Sequence, residues 1–92
     1  MYKLKLSKGF KKDFKKIKRN PRFNSEKLKD VFDSLINNHE LDKRHSNHKL
    51  IGDLSDYYEC HLAPDILLIY RINKDDNFIN IDRIGSHSEL FN

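Results

Sequence analysis

Ninety-two residues, 37% hydrophobic and 35% charged, are enough for one domain over residues 1–92 with a single modest core. The longest aliphatic run, Ile66-Leu67-Leu68-Ile69, is far too short to span a bilayer, and the Lys-rich start leads into no apolar stretch of signal-peptide type. The net charge is +4, and the one cysteine, Cys60, allows no internal disulfide, which fits a reducing cytoplasm.

That charge is unevenly spread. Residues 1–22 hold ten Lys or Arg against one acid, Asp13, for +9, and residues 23–92 sum to −5. A basic segment of this density suits phosphate backbones or an acidic protein partner.

In chain order, Tyr2-Lys3-Leu4-Lys5-Leu6 alternates apolar and basic residues, the period of a half-buried strand. Ser7 can cap a helix carrying Phe10, Phe14 and Ile17 on one stripe, with Lys11, Lys12, Lys15 and Lys16 around the rest; Asn20-Pro21 stops it. Asn24 or Ser25 caps a second helix, whose stripe is Leu28, Val31, Phe32, Leu35 and Ile36. A polar connector runs from His39 to Asn47. His48 to Ile51 is a short strand, turned at Gly52-Asp53. From Tyr57 to Leu62, Tyr58, Cys60 and Leu62 point one way while Tyr57, Glu59 and His61 point the other. Asp65 to Ile72 reads as a central strand, 73–77 as a polar turn, and Phe78 to Ile84 as the last strand, followed by a short turn or helix from His87 to Phe91. This order predicts an α+β fold, with two N-terminal helices on one face of a small antiparallel-rich sheet and the other face open as a groove.

The chemistry gathers in the C-terminal half. On a strand, Glu59 and His61 lie side by side, Asp65 follows a Pro-led turn, and Arg83 and His87 flank Gly85. Cleaving RNA without a metal requires a base for the ribose 2′-OH, cations for the charge on phosphorus, and an acid for the leaving 5′ oxygen. Histidine titrates near neutral pH and Arg offers a planar fork to phosphate, so these residues could supply all three.

Taken in order, His48-x-Leu50-x-Gly52, Glu59-Cys60-His61-Leu62-x-Pro64-Asp65, Leu68-Ile69-Tyr70 and Arg83-x-Gly85-Ser86-His87-x-x-Leu90-Phe91 resemble the RelE/YafQ group of bacterial toxins, its YafQ-like branch above all. The resemblance implies an mRNA endoribonuclease acting in the ribosomal A site. It also implies a neutralising, acidic, DinJ-like antitoxin, in a complex able to bind operator DNA. The family's catalytic histidines fall on His48, His61 and His87, its acids on Glu59 and Asp65, its basic residue on Arg83, and a base-stacking aromatic on Phe91. Two positions depart from the pattern: Tyr58 stands where a basic residue is common, and Ile66 where an aromatic is. Both bear on codon preference.

His39 and His45 read as surface side chains, and Cys60 as a small buried apolar residue. His45-x-x-His48 with His61 and Asp65 matches no standard structural zinc spacing, so no cofactor is expected. The rival reading is a non-enzymatic module that binds nucleic acid or protein through Lys11, Lys12, Lys15 and Lys16.

Overall fold

The computed structural model describes residues 2–37, 48–49, 57–73 and 75–91. The connector with His39 and His45, the turn at Gly52-Asp53 and the last residues of the 48–51 strand lie outside this set.

Strand β1 (Lys3–Leu6) leads directly into helix α1 (Lys8–Ile17). Ser7 caps α1, its Oγ accepting from the Phe10 N–H at 2.9 Å, while Phe10 and Ile17 are buried. Helix α2 (Ser25–Ile36) starts at Asn24, whose side-chain oxygen accepts from the Glu26 N–H at 2.9 Å, and it buries Leu28, Val31 and Leu35. There follow β2 (His48–Lys49), β3 (Tyr57–Ala63), β4 (Ile66–Asn73), β5 (Phe78–Gly85) and α3 (His87–Phe91). Asn77 closes the β4–β5 turn at φ 61°, a left-handed conformation that asparagine tolerates.

The strands form one sheet in the order β1-β5-β4-β3-β2. Three pairings are antiparallel, and β1 runs parallel to β5. The helices contribute Phe10, Ile17, Leu28, Val31 and Leu35 to a core that takes Cys60, Leu62, Ile66, Leu68, Tyr70, Ile79, Ile81 and Ile84 from the sheet. Each large apolar side chain among them contributes roughly 1.5–3 kcal/mol by leaving water. The alternation expected for 57–62 holds: Cys60 and Leu62 enter this core and Glu59 and His61 do not. Leu67 and Ile69 are buried on the far face, where α3 folds back, so that face is a cleft rather than a bare groove.

Strand β5 departs from strict alternation. Ile81 and Ile84, three residues apart, both enter the core, because Ile69 pairs with Arg83 and the next residue, Tyr70, pairs with Ile81. Asp82 is thus the extra residue of a β-bulge, which moves Arg83 from the core side, where period 2 would put it, to a position opposite Ile69. The Ser7 hydroxyl donates to the bulged Asp82 carbonyl at 2.8 Å. Gly9 lets α1 come this close, since a Cβ there would meet Arg83 Cδ at 3.2 Å and the Asp82 carbonyl at 3.3 Å.

Candidate active site

Three rings form a row on the far face of the sheet. His61, on β3, has its ring centroid 6.1 Å from that of His87, and His87 lies 5.8 Å from Phe91. His61 is partly buried, whereas His87 and Phe91 are exposed. Glu59 is buried two residues before His61, its Oε1 3.9 Å from His61 Nε2. In the β2–β3 register His48 pairs with Glu59, which brings its backbone to the same strand position.

His87 and Phe91 are presented by α3, and a capping box holds that helix. The Ser86 hydroxyl accepts from the Glu89 N–H at 3.2 Å, and Glu89 Oε1 accepts from the Ser86 N–H at 3.0 Å. The second Glu89 oxygen, Oε2, meets Lys16 Nζ of α1 at 2.6 Å. Lys16, with the Ser86 N–H and hydroxyl, holds the Glu89 carboxyl down at about 2, and the same contact raises Lys16. This carboxylate is therefore charged throughout the physiological range.

Arg83 lines a cleft of about 350 Å³ with Tyr57, Ile69, Asp82, Leu90 and Phe91. Its Nε donates to Asp13 Oδ2 at 2.6 Å and its Nη2 to Asp13 Oδ1 at 3.1 Å. That contact raises the Arg83 pKa further, so the guanidinium is permanently charged. Beside it, Arg71 Nε donates to Asp82 Oδ2 at 2.9 Å, with the Arg71 guanidinium 5.0 Å from the Tyr57 ring.

Apart from His48, of which only the strand register is described, the residues singled out from sequence fall into three groups. Glu59, His61, His87, Phe91 and Arg83 are brought to one face. Asp65 is exposed in the turn between β3 and β4 and makes no ion pair among the described residues. Lys11, Lys12 and Lys15 are exposed on α1, and Lys16, also exposed, is committed to Glu89. Arg83 and Arg71 form their close ion pairs with Asp13 and Asp82 rather than with Glu59 or Asp65. Sequence reasoning does not reach Asp13, Ser86 and Glu89, although signals exist. Asp13 is the lone acid of the basic segment, three residues after Phe10 and four before Ile17, and Ser86-x-x-Glu89 is a capping-box spacing. Cys60 is buried as expected, its thiol pushed up to about 12 mainly by that burial.

A family model described as the bacterial toxin of type II toxin-antitoxin system, YafQ, matches residues 2–92. The mRNA interferase toxin YafQ of Escherichia coli BL21-DE3 is 32% identical over 89 residues, 96% of this chain and 94% of that protein. Its counterpart in E. coli K12 is 36% identical over 66 residues, 71% of this chain and 70% of that one. Among solved structures, a metal-bound toxin from Helicobacter pylori has a TM-score of 0.91 at 42% identity, with 99% of this chain and 100% of that chain covered. YafQ in the E. coli DinJ–YafQ complex has a TM-score of 0.86 at 30% identity, with 100% of both chains covered. Sequence match and shared architecture run the length of the chain, which belongs to the YafQ family of bacterial toxins of type II toxin–antitoxin systems.

Proposed function

We propose that residues 1–92 form one toxin domain, an endoribonuclease that cleaves mRNA in the ribosomal A site by attack of a ribose 2′-OH on the adjacent phosphodiester. The observation that carries this is the pair of imidazoles, His61 and His87, 6.1 Å apart on one open face. A proton-transferring group reaches about 2.6–3.2 Å, so a phosphodiester lying across the outer edges of the two rings can meet both. One histidine takes the 2′-OH proton, the 2′ oxygen bonds to phosphorus, and the P–O5′ bond breaks as the other histidine protonates the departing oxygen. This acid–base scheme needs no metal.

Arg83 holds the non-bridging oxygens as charge builds on them. His48, Glu59 and Asp65 share in the same proton transfers. Phe91, which is 44% exposed, stacks on a base next to the scissile phosphate. Lys11, Lys12 and Lys15 engage ribosomal RNA, while Lys16 is held by Glu89. The partner is an acidic antitoxin of the DinJ kind, which the +9 segment favours and which has its counterpart in the E. coli complex; toxin and antitoxin together bind operator DNA in the cytoplasm.

Primer-extension mapping of transcripts after induction tests the reading. Wild type is expected to arrest growth and leave cleavage ends within codons. His87→Ala is expected to leave none while remaining folded. Unchanged toxicity and cleavage in that variant would remove His87 from the reaction.

A further inference from the structure

The sole acid of the basic segment is not at its surface. Asp13 lies on the inward stripe of α1 with its side chain only 16% exposed, and its carboxylate accepts three hydrogen bonds. Two come from Arg83 Nε and Nη2, and the third comes from the Ile84 N–H at 3.2 Å. We propose that Asp13 is a positioning residue for Arg83, fixing the guanidinium so that its second donor edge is presented to the phosphate. This inference rests on the reading of Arg83 as the group that holds the scissile phosphate.

A guanidinium is flat and carries five N–H donors, which form two-pronged edges. Asp13 takes the edge made by Nε and one Nη2 proton. The edge made by Nη1 and the other Nη2 proton is left, and it too can grip two oxygens of a phosphate. A long, flexible side chain that is 44% exposed would otherwise sample many rotamers in the cleft. The carboxylate removes that freedom without consuming the end that binds substrate. The bulge at Asp82 and the Ile84 contact complete the mount: the bulge turns Arg83 to this side, and the Ile84 N–H anchors Asp13 to the strand. Two other charged pairs adjoin this region, Lys16 with Glu89 and Arg71 with Asp82, and in each the two partners engage each other.

Asp13→Asn separates positioning from anchoring. Asparagine can still accept from the Ile84 N–H, but it is neutral and offers only one oxygen to Arg83. The variant also makes the basic segment more positive, so RNA affinity should not fall. Cleavage of mRNA on programmed ribosomes is measured for wild type, Asp13→Asn, Arg83→Ala and the double variant. The expected result is a kcat about 10- to 100-fold lower in Asp13→Asn with KM unchanged or reduced, and no further loss when Asp13→Asn is added to Arg83→Ala. A wild-type kcat in Asp13→Asn beside an impaired Arg83→Ala overturns the proposal, as does an equal loss in both backgrounds or a raised KM. A wild-type kcat in Arg83→Ala overturns the phosphate-holding role itself. Should Asp13→Asn melt below the assay temperature, the wild-type Arg83 Nε–H decides by NMR: slow solvent exchange is expected, and exchange as fast as that of a free arginine overturns the proposal.

Discussion

His87 has an aromatic neighbour on either side, His61 with its ring centroid at 6.1 Å and Phe91 at 5.8 Å. His87 is exposed, and His61 is partly buried but lies outside the helix-side core. Replacing either by Ala is therefore expected to leave thermal unfolding close to wild type. Cleavage should fall by roughly 10²–10⁴-fold, the usual worth of a general acid or base. Parallel melting curves and single-turnover kinetics check this, and a rate within threefold of wild type in both variants would contradict the assignment. Glu59, Asp65 and Arg83 differ as residues in what holds them. Arg83 is fixed by a carboxylate from a distant helix and Glu59 is buried beside its histidine, whereas Asp65 sits in solvent. Replacing Asp65 by Asn is accordingly expected to cost less activity than removal of Arg83, as read from the same kinetics.

At the scale of elements, α3 is five residues long and holds through its capping box and one ion pair to α1. Ser86→Ala removes the cap and should destabilise α3 locally by about 0.5–2 kcal/mol, seen as faster amide exchange over 87–91 with little change elsewhere. The Glu89 carboxyl lies at about 2, against an ordinary 4.5. A lowered folded-state value means that its stabilisation is complete above pH 4.5 and is lost as the pH falls through about 2. Amides of α3 should stay protected at about pH 5 and lose protection by about pH 2, and pH-independent exchange after correction for intrinsic rates would contradict this.

Most elements are legible in the sequence, because α1, α2 and β3 carry clear periods of 3.6 or 2 with capping residues at the helix starts. The phase of β5 is not. Its bulge is held by Ser7, 75 residues away, and the adjacent Ile84 N–H by Asp13, 71 residues away, and no local pattern reports such contacts. The parallel pairing of β1 with β5 is hidden for the same reason, since a strand's period sets its faces but not its neighbour. The ring row is readable as a set of residues, while the mount of Arg83 is not.

For the whole molecule, the helices cover one side of the sheet and the other side carries the ring row. Ile81 is fully buried beneath the helices, and Ile81→Ala is expected to cost about 2–5 kcal/mol in denaturant unfolding without moving the ring row. On the solvent side of α1, reversing Lys11, Lys12 and Lys15 to Glu should weaken ribosome binding. It should also flatten the slope of log affinity against log salt, by about one for each phosphate no longer neutralised. An unchanged slope would show that this helix face does not meet RNA. The ends of the cleaved RNA report the proposed reaction on the far face directly. Attack by the 2′-OH must leave a 2′,3′-cyclic phosphate and a 5′-hydroxyl, and a substrate with a single 2′-deoxy residue at the cut must resist. Mass spectrometry of the fragments is expected to find those ends, and a 5′-phosphate with a 3′-hydroxyl, or cleavage of the deoxy substrate, would contradict the mechanism.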